Sequence, residues 1–237
     1  MKDMRLDKYI ATCLFLTRSQ AKDLIRSKKI KINNVVITDA NHKTKENDYV
    51  TFDDKELVYE ENIYLMMNKP KGYVSSTDDP TNKTVLDLIK DYNIKRLMIV
   101  GRLDIDTTGL LLITSDGSFV HKLTSPNNHI EKKYYVICDK EFDSEDVLMF
   151  NKGITIYLDK DTDYKCKSAK LEILNNRNEA YITISEGKFH QVKKMCSAVD
   201  KKVLELKRVG IGKLKLDPML NEGEYRALNH DEVEMFI

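Results

Sequence analysis

The stretch Gly101-Arg102-Leu103-Asp104-Ile105-Asp106-Thr107-Thr108-Gly109-Leu110-Leu111-Leu112-Ile113-Thr114 decides how this chain is read. A polar segment carrying Arg102, Asp104 and Asp106 lies between two apolar runs, Leu97-Met98-Ile99-Val100 before it and Leu110-Leu111-Leu112-Ile113 after it. Each run has the length and composition of a buried strand. Gly101 and Gly109 punctuate the polar segment, which predicts a loop held between strands. Loops on a rigid scaffold are where catalytic side chains concentrate. A carboxylate such as Asp104 can serve as nucleophile or base when a nearby cation keeps it ionised. Asp106 competes for that role, and in D-x-T-T-G it can instead cap a turn through Thr107 or Thr108.

Outward from this segment, strand-like runs recur at residues 63–68, 134–138, 169–174, 180–185, 202–208 and 213–216. Helical patterns cover 84–91, 118–124, 144–150, 189–199 and 231–236. Few helices among many short strands predict an α+β domain with a mostly antiparallel sheet, here placed at 62–237.

The first 57 residues read as a separate small α/β module. Leu6, Ile10 and Leu14 fall on one face of a helix over 5–16. Thr17, with Gln20 three residues on, is a capping box that opens a second helix. Ile30-Lys31-Ile32 and Val35-Val36-Ile37 flank Asn33-Asn34, a pair suited to a tight hairpin, and Tyr49-Val50-Thr51-Phe52 adds a strand. The acidic segment 53–61 is expected to be the linker.

Composition narrows the function classes. The chain has 237 residues, 32% of them charged, and a net charge of +1, the profile of a soluble globular protein. It shows no signal-peptide pattern at its start and no apolar run near the ~18 residues that span a bilayer, so a cytoplasmic location is expected. The four cysteines, Cys13, Cys138, Cys166 and Cys196, form no C-x-x-C and read as buried thiols. The five histidines form no H-E-x-x-H or Cys/His cluster, so no metal site is expected. Charge is segregated. Residues 1–32 hold nine Lys/Arg against three Asp, and 186–208 hold seven Lys/Arg against three acids. Two basic runs point toward phosphate-bearing partners, although each can also be a solvated helix surface.

Four segments in order carry a specific resemblance. G-R-L-D-x-D-T-T-G-L-L-L-I-T, preceded by Asn68-Lys69-Pro70-Lys71-Gly72-Tyr73 and followed by Glu131-Lys132-Lys133-Tyr134-Tyr135-Val136 and Ser185-Glu186-Gly187-Lys188-Phe189-His190-Gln191-Val192-Lys193-Lys194-Met195, resembles the RNA pseudouridine synthases. The similarity is to the branch that acts on ribosomal small-subunit RNA. The N-terminal module resembles an S4 RNA-binding domain through Arg5-Leu6-Asp7-Lys8 and Thr17-Arg18-Ser19-Gln20-Ala21.

The resemblance implies roles for particular residues. Asp104 matches the essential aspartate, Tyr134 the tyrosine that stacks on the target base, and Lys193 the basic residue paired with the aspartate. Asp106 is then left as a turn-forming neighbour. Arg102 matches a residue associated with opening the RNA stack. Further RNA contacts are expected from Arg5, Lys8, Arg18, Lys22, Arg26 and Lys28 in the module, and from Lys69, Lys71, His190 and Gln191 in the larger domain. The implied reaction breaks the N1–C1′ bond of a uridine, turns the base and rejoins it through C5, with no cofactor. A uridine hidden in a stack must first be flipped out. The implied partner is 16S rRNA, free or within a ribosomal particle, and a monomeric enzyme is expected. A 23S rRNA synthase and a non-catalytic S4-type assembly protein are the alternatives.

Without the resemblance, plainer readings exist. Tyr134 also reads as a core strand aromatic, Lys193 as an exposed helix lysine, His190 and Gln191 as caps of that helix, and Lys69 and Lys71 as a charged turn. Two features differ from the family pattern: Lys193 stands where many relatives have Arg, and Ser27-Lys28-Lys29 and Asn34 stand where many S4 modules have Gly.

Overall fold

The computed structural model describes residues 3–14, 16–59, 62–158 and 162–236. The chain divides into two compact units, Met1–Asn62 and Ile63–Ile237.

In the first unit, helices Leu6–Cys13 and Arg18–Arg26 pack on a four-stranded sheet of order Val35–Val36, Ile30–Ile32, Val50–Phe52, Lys55–Glu56. Leu6, Ile10, Ala21, Ile25, Ile30, Ile32 and Val50 form its core. The first helix is shorter than the apolar spacing predicts. Leu14 leaves helical geometry (φ −103°, ψ 6°), and Thr17 must be extended (φ −67°, ψ 157°) to cap the next helix. The Thr17–Gln20 capping box forms. Asn33 and Asn34 both take positive φ, 49° and 66°, as a two-residue hairpin requires. Lys28 takes φ 63°, so a lysine adopts the left-handed conformation usually given to glycine after a helix.

The acidic segment is not simply a linker. Asp53 and Asp54, both at positive φ, turn the chain, and Lys55–Glu56 pairs back on Thr51 and Phe52. The local signal was Asp-Asp as a turn, hidden by its charge. Glu60 and Glu61 of that segment, and Lys2 of the first basic run, lie outside the described residues.

The second unit is built on a mixed nine-stranded sheet, and the α+β expectation holds. Its main path runs Lys170–Ile173, Glu179–Ile184, Lys132–Cys138, Val203–Ile211, Thr108–Thr114, Tyr64–Lys69, Tyr225–Ala227. Every pairing on this path is antiparallel except that of Val203–Ile211 with Thr108–Thr114. All seven residues of Thr108–Thr114 are buried. Leu111 and Ile113 enter one core cluster with Leu65, Met67 and Val136, while Leu110 and Leu112 enter another with Met66, Phe119 and Ile211. A strand covered on both faces reads as a continuous apolar run rather than an alternating one.

Gly109 (φ 98°) is required by this packing. A Cβ at that position would collide with the backbone carbonyl oxygen of Arg208 on the parallel neighbour. The helix expected over 84–91 is a short 3-10 turn, Val85–Leu88. Ile89 is extended beyond it, and the Lys90 N–H is taken by the Tyr225 hydroxyl. The Tyr225–Ala227 strand and the hairpin Thr155–Leu158/Thr162–Lys165 carry no alternating pattern that marks them in the sequence.

Candidate active site

The polar segment 101–107 is a loop pinned from below. Ser75 Oγ donates to the Leu103 carbonyl (2.9 Å) and accepts from the Leu103 N–H (3.1 Å), which seats Leu103 in the core. The Thr107 N–H donates to the Asp104 carbonyl (3.1 Å), closing the turn through the main chain rather than through the Asp106 side chain. Lys69 lies beneath with its side chain fully buried. Its Nζ donates to the carbonyls of Pro70 (2.9 Å), Thr107 (2.9 Å) and Ile105 (3.4 Å). The Gly72 N–H also donates to the Ile105 carbonyl (2.8 Å). The RNA-contact expectation for Lys69 is therefore corrected: a buried ammonium spent on three carbonyls is a loop support. Burial pushes its pKa down to about 8, against the opposing pull of Asp106 and Asp104. Lys71, two residues on, is exposed, as is Arg102.

The second half of the site comes from the segment before helix Gln191–Ala198. The carboxylate of Glu186 accepts from the Tyr164 hydroxyl (2.7 Å), the Lys167 N–H (3.0 Å) and Gln191 Nε2 (2.7 Å), while Gln191 Oε1 accepts from the Lys188 N–H (2.8 Å). Gln191 is buried in this network, so it braces the helix entry and does not present itself to RNA. His190 precedes the helix in the left-handed region (φ 53°, ψ 30°) and gives no side-chain cap. From there its Nε2 lies 3.5 Å from Asp104 Oδ1, a contact that becomes an ion pair whenever the imidazole is protonated.

In the first turn of the helix, Lys193 reaches both acids of the loop. Its Nζ is 3.1 Å from Asp104 Oδ2 and 2.6 Å from Asp106 Oδ1. Asp106 is thus a second ligand of the same ammonium, not only a turn former. Partial burial works to lower the Lys193 pKa, but the bonds to Asp106 and Asp104 outweigh it and the net shift is upward. For Asp106 burial works upward, and the Lys193 hydrogen bond and charge carry the net shift downward. The Asp104 side chain keeps about a quarter of its surface exposed, 26%, so it faces solvent while held by a cation. A cleft lined by Asp106, Lys193, Ser197, Lys201 and Lys202 opens beyond Lys193.

Tyr134 sits in the Lys132–Cys138 strand and is 8% exposed. It belongs to the same core cluster as Leu103, beside Asp104, and as Val192 and Met195, which flank Lys193. Across the sheet it pairs in register with Arg208. Sequence reading missed Arg208. The residue is 2% exposed, its Nε donates to the Leu110 carbonyl (2.7 Å), and its Nη2 has no hydrogen-bond partner among the described residues. Glu186 was also passed over, because a lone Glu beside Gly in a basic run gives no sign of burial.

In the first unit, Arg5 and Arg18 both hold Asp7. Arg5 Nη2 is 2.8 Å from Oδ2, and Arg18 Nη2 is 2.6 Å from Oδ1. Burial works to raise the Asp7 pKa, but the two guanidinium groups bring the net shift below the usual value. Both arginines remain about half exposed. Lys8, Arg26 and Lys28 are exposed and Lys22 is half-buried; Arg26 also pairs with Asp23 (3.4 Å). Among the described residues no group of three or more His, Cys, Asp or Glu is placed to hold a metal ion. No helix among them is long and apolar enough to cross a membrane.

A carboxylate held by a lysine in a G-R-L-D loop, on a mixed sheet preceded by a small RNA-binding-type module, defines a class. The RNA pseudouridylate synthase family model matches residues 63–198, more than half the chain, and an S4 domain matches 4–50. The chain belongs to the RNA pseudouridylate synthase family and is an enzyme of that class. It is 42% identical to the ribosomal small subunit pseudouridine synthase A of Haemophilus influenzae, over 99% of this chain and 100% of that one. It is 40% identical to the protein of the same name from Escherichia coli K12, over 97% and 98% of the two chains. A crystal structure of a pseudouridylate synthase, 40% identical, superposes with a TM-score of 0.70 over 99% of this chain and 100% of that chain.

Proposed function

We propose that this protein converts a uridine of small-subunit (16S) rRNA to pseudouridine, with Asp104 as the catalytic carboxylate. The observation that carries the reading is the partly exposed Asp104, fixed between Lys193 Nζ at 3.1 Å and His190 Nε2 at 3.5 Å. Near-full-length similarity to enzymes named for the small ribosomal subunit supports the choice of RNA.

The uridine leaves its stack and enters beside Asp104. Lys193 Nζ, 3.1 Å away, fixes the Asp104 carboxylate beside the ribose, where charge develops as the N1–C1′ bond breaks. The freed uracil turns, C5 joins C1′, C5 loses its proton and N1 gains one. Atoms and charge balance within the nucleotide. Tyr134 supplies the ring against which the base stacks; stacking on an aromatic ring is worth ~1–3 kcal/mol per base. Because that ring is largely buried, the base meets it only at its exposed edge or after the Leu103 side of the cluster yields. Arg102, exposed at the mouth of the loop, occupies the gap left in the RNA.

The exposed cations Lys8, Arg26 and Lys28, with the half-exposed faces of Arg5 and Arg18, hold phosphates without reading sequence. The protein acts as a monomer in the cytoplasm, where the rRNA is. The test is to map pseudouridines in 16S and 23S rRNA from cells lacking this protein. Loss of one 16S position is expected. Loss of a 23S position instead, or of none, overturns the assignment.

A further inference from the structure

A large apolar ring stands in solvent beside the site. Phe189 is 59% exposed and stacks on His190 with centroids 3.8 Å apart and planes 21° from parallel. Lys194 Nζ lies 5.3 Å over the same ring. The pair is built at some cost: His190 holds a left-handed backbone (φ 53°), a conformation that strains a non-glycine residue. That backbone both turns the imidazole onto Phe189 and brings its Nε2 to 3.5 Å from Asp104. On the facing loop Ile105, next to Asp104, is also exposed. Core packing explains neither exposed side chain.

We propose that Phe189, backed by His190, is a stacking platform for the unpaired RNA base that flanks the target uridine, with Lys194 taking the adjoining phosphate. Flipping the target strips its neighbour of a stacking partner, and a solvent-facing ring one residue from an Asp104 contact replaces it. The occupant is nucleic acid rather than an apolar peptide or a lipid surface, because a cation lies over the ring in a basic segment. Lys194 lies over Phe189, and Lys188, next to Phe189 in the chain, lies 4.5 Å over the Tyr164 ring. The segment 186–208 carries seven basic residues against three acidic ones. Stacking tolerates any base, so the platform aids affinity and placement rather than sequence choice. The inference rests on the reading above that Asp104 is the reaction centre and rRNA the substrate.

The chain contains no tryptophan, so Phe189→Trp introduces a single tryptophan, excited apart from the tyrosines, at the platform itself. The probes are rRNA from cells lacking the protein, free and as ribosomal subunits, and inorganic polyphosphate as a base-free polyanion. The expected results are an about 10-fold rise in KM for Phe189→Ala, a single-turnover rate at saturation within a few-fold of wild type, near-normal KM for Phe189→Trp, and tryptophan quenching by rRNA but not by polyphosphate. Unchanged KM in Phe189→Ala, or equal quenching by both polyanions, overturns the platform. Adding Asp104→Asn to Phe189→Trp separates the two readings. Quenching without turnover supports both; quenching with turnover retained overturns only the role of Asp104; no quenching overturns the platform.

Discussion

Lys193 Nζ stands 3.1 Å from Asp104 Oδ2 while making a shorter, 2.6 Å bond to Asp106 Oδ1. One ammonium therefore serves an inner carboxylate facing the site and an outer one in solvent. Removing the cation leaves Asp104 without its main counter-charge, whereas removing the outer acid leaves the inner pair intact. Lys193→Met is expected to lower kcat about 100-fold or more, and Asp106→Asn less than about 5-fold, in single-turnover assays. Equal losses in the two variants would show that Asp106 shares the chemistry.

Lys69 gives a pH signature. Its pKa in the folded protein is about 8, below the ordinary lysine value of 10.5, because burial disfavours the charged form. Between those values the unfolded chain holds a proton that the folded protein has released. The linkage sign is then positive, and stability from this group rises with pH between about 8 and 10.5. Below pH 8 both states are protonated and the burial cost is constant. Urea unfolding of wild type and Lys69→Met across pH 7 to 10.5 checks this: the stability gap should widen in favour of wild type above pH 8, by about 1 kcal/mol or more. A gap independent of pH contradicts a buried ammonium.

Gly109 fixes the exit of the loop that carries Asp104. Its positive φ and the collision of any Cβ with the Arg208 carbonyl mean that Gly109→Ala must move one of two central strands. A loss of about 3 kcal/mol or more is expected in chemical denaturation, from backbone strain and overpacking together. A loss below about 1 kcal/mol would mean that the parallel pairing yields readily to a Cβ at this position.

The exposed cations of the first unit should act on binding alone. Replacing Lys8, Arg26 and Lys28 by Ala should reduce the slope of log Kd against log salt by about 2 to 3, and leave single-turnover rates at saturating enzyme within about 2-fold. An unchanged slope would remove these side chains from the RNA interface.

The sequence made much of the fold legible where local signals were strong. The all-apolar run after Gly109, the Thr17–Gln20 box and the Asn33-Asn34 turn each appear in place, because period, cap and turn chemistry act over a few residues. The parallel pairing of Thr108–Thr114 with Val203–Ile211 and the short Tyr225–Ala227 strand depend on partners far along the chain, and no nearby pattern announces them. In the candidate site, the pairing of Asp104 with Lys193 was legible through their motifs. The roles of Lys69 and Gln191 were not, since a lysine or glutamine in a polar motif looks like surface until its burial is known. The sharing of Lys193 by Asp106 was hidden for the same reason: spacing along the loop says nothing of which carboxylate the helix will reach.

The central claim is that Asp104 carries the chemistry. The most direct measurement is pseudouridine mapping of rRNA in cells lacking the protein and supplied with wild type, Asp104→Asn or Asp106→Asn, each at equal level. The account predicts that wild type and Asp106→Asn restore the missing modification and Asp104→Asn does not. Restoration of the site by Asp104→Asn would contradict it.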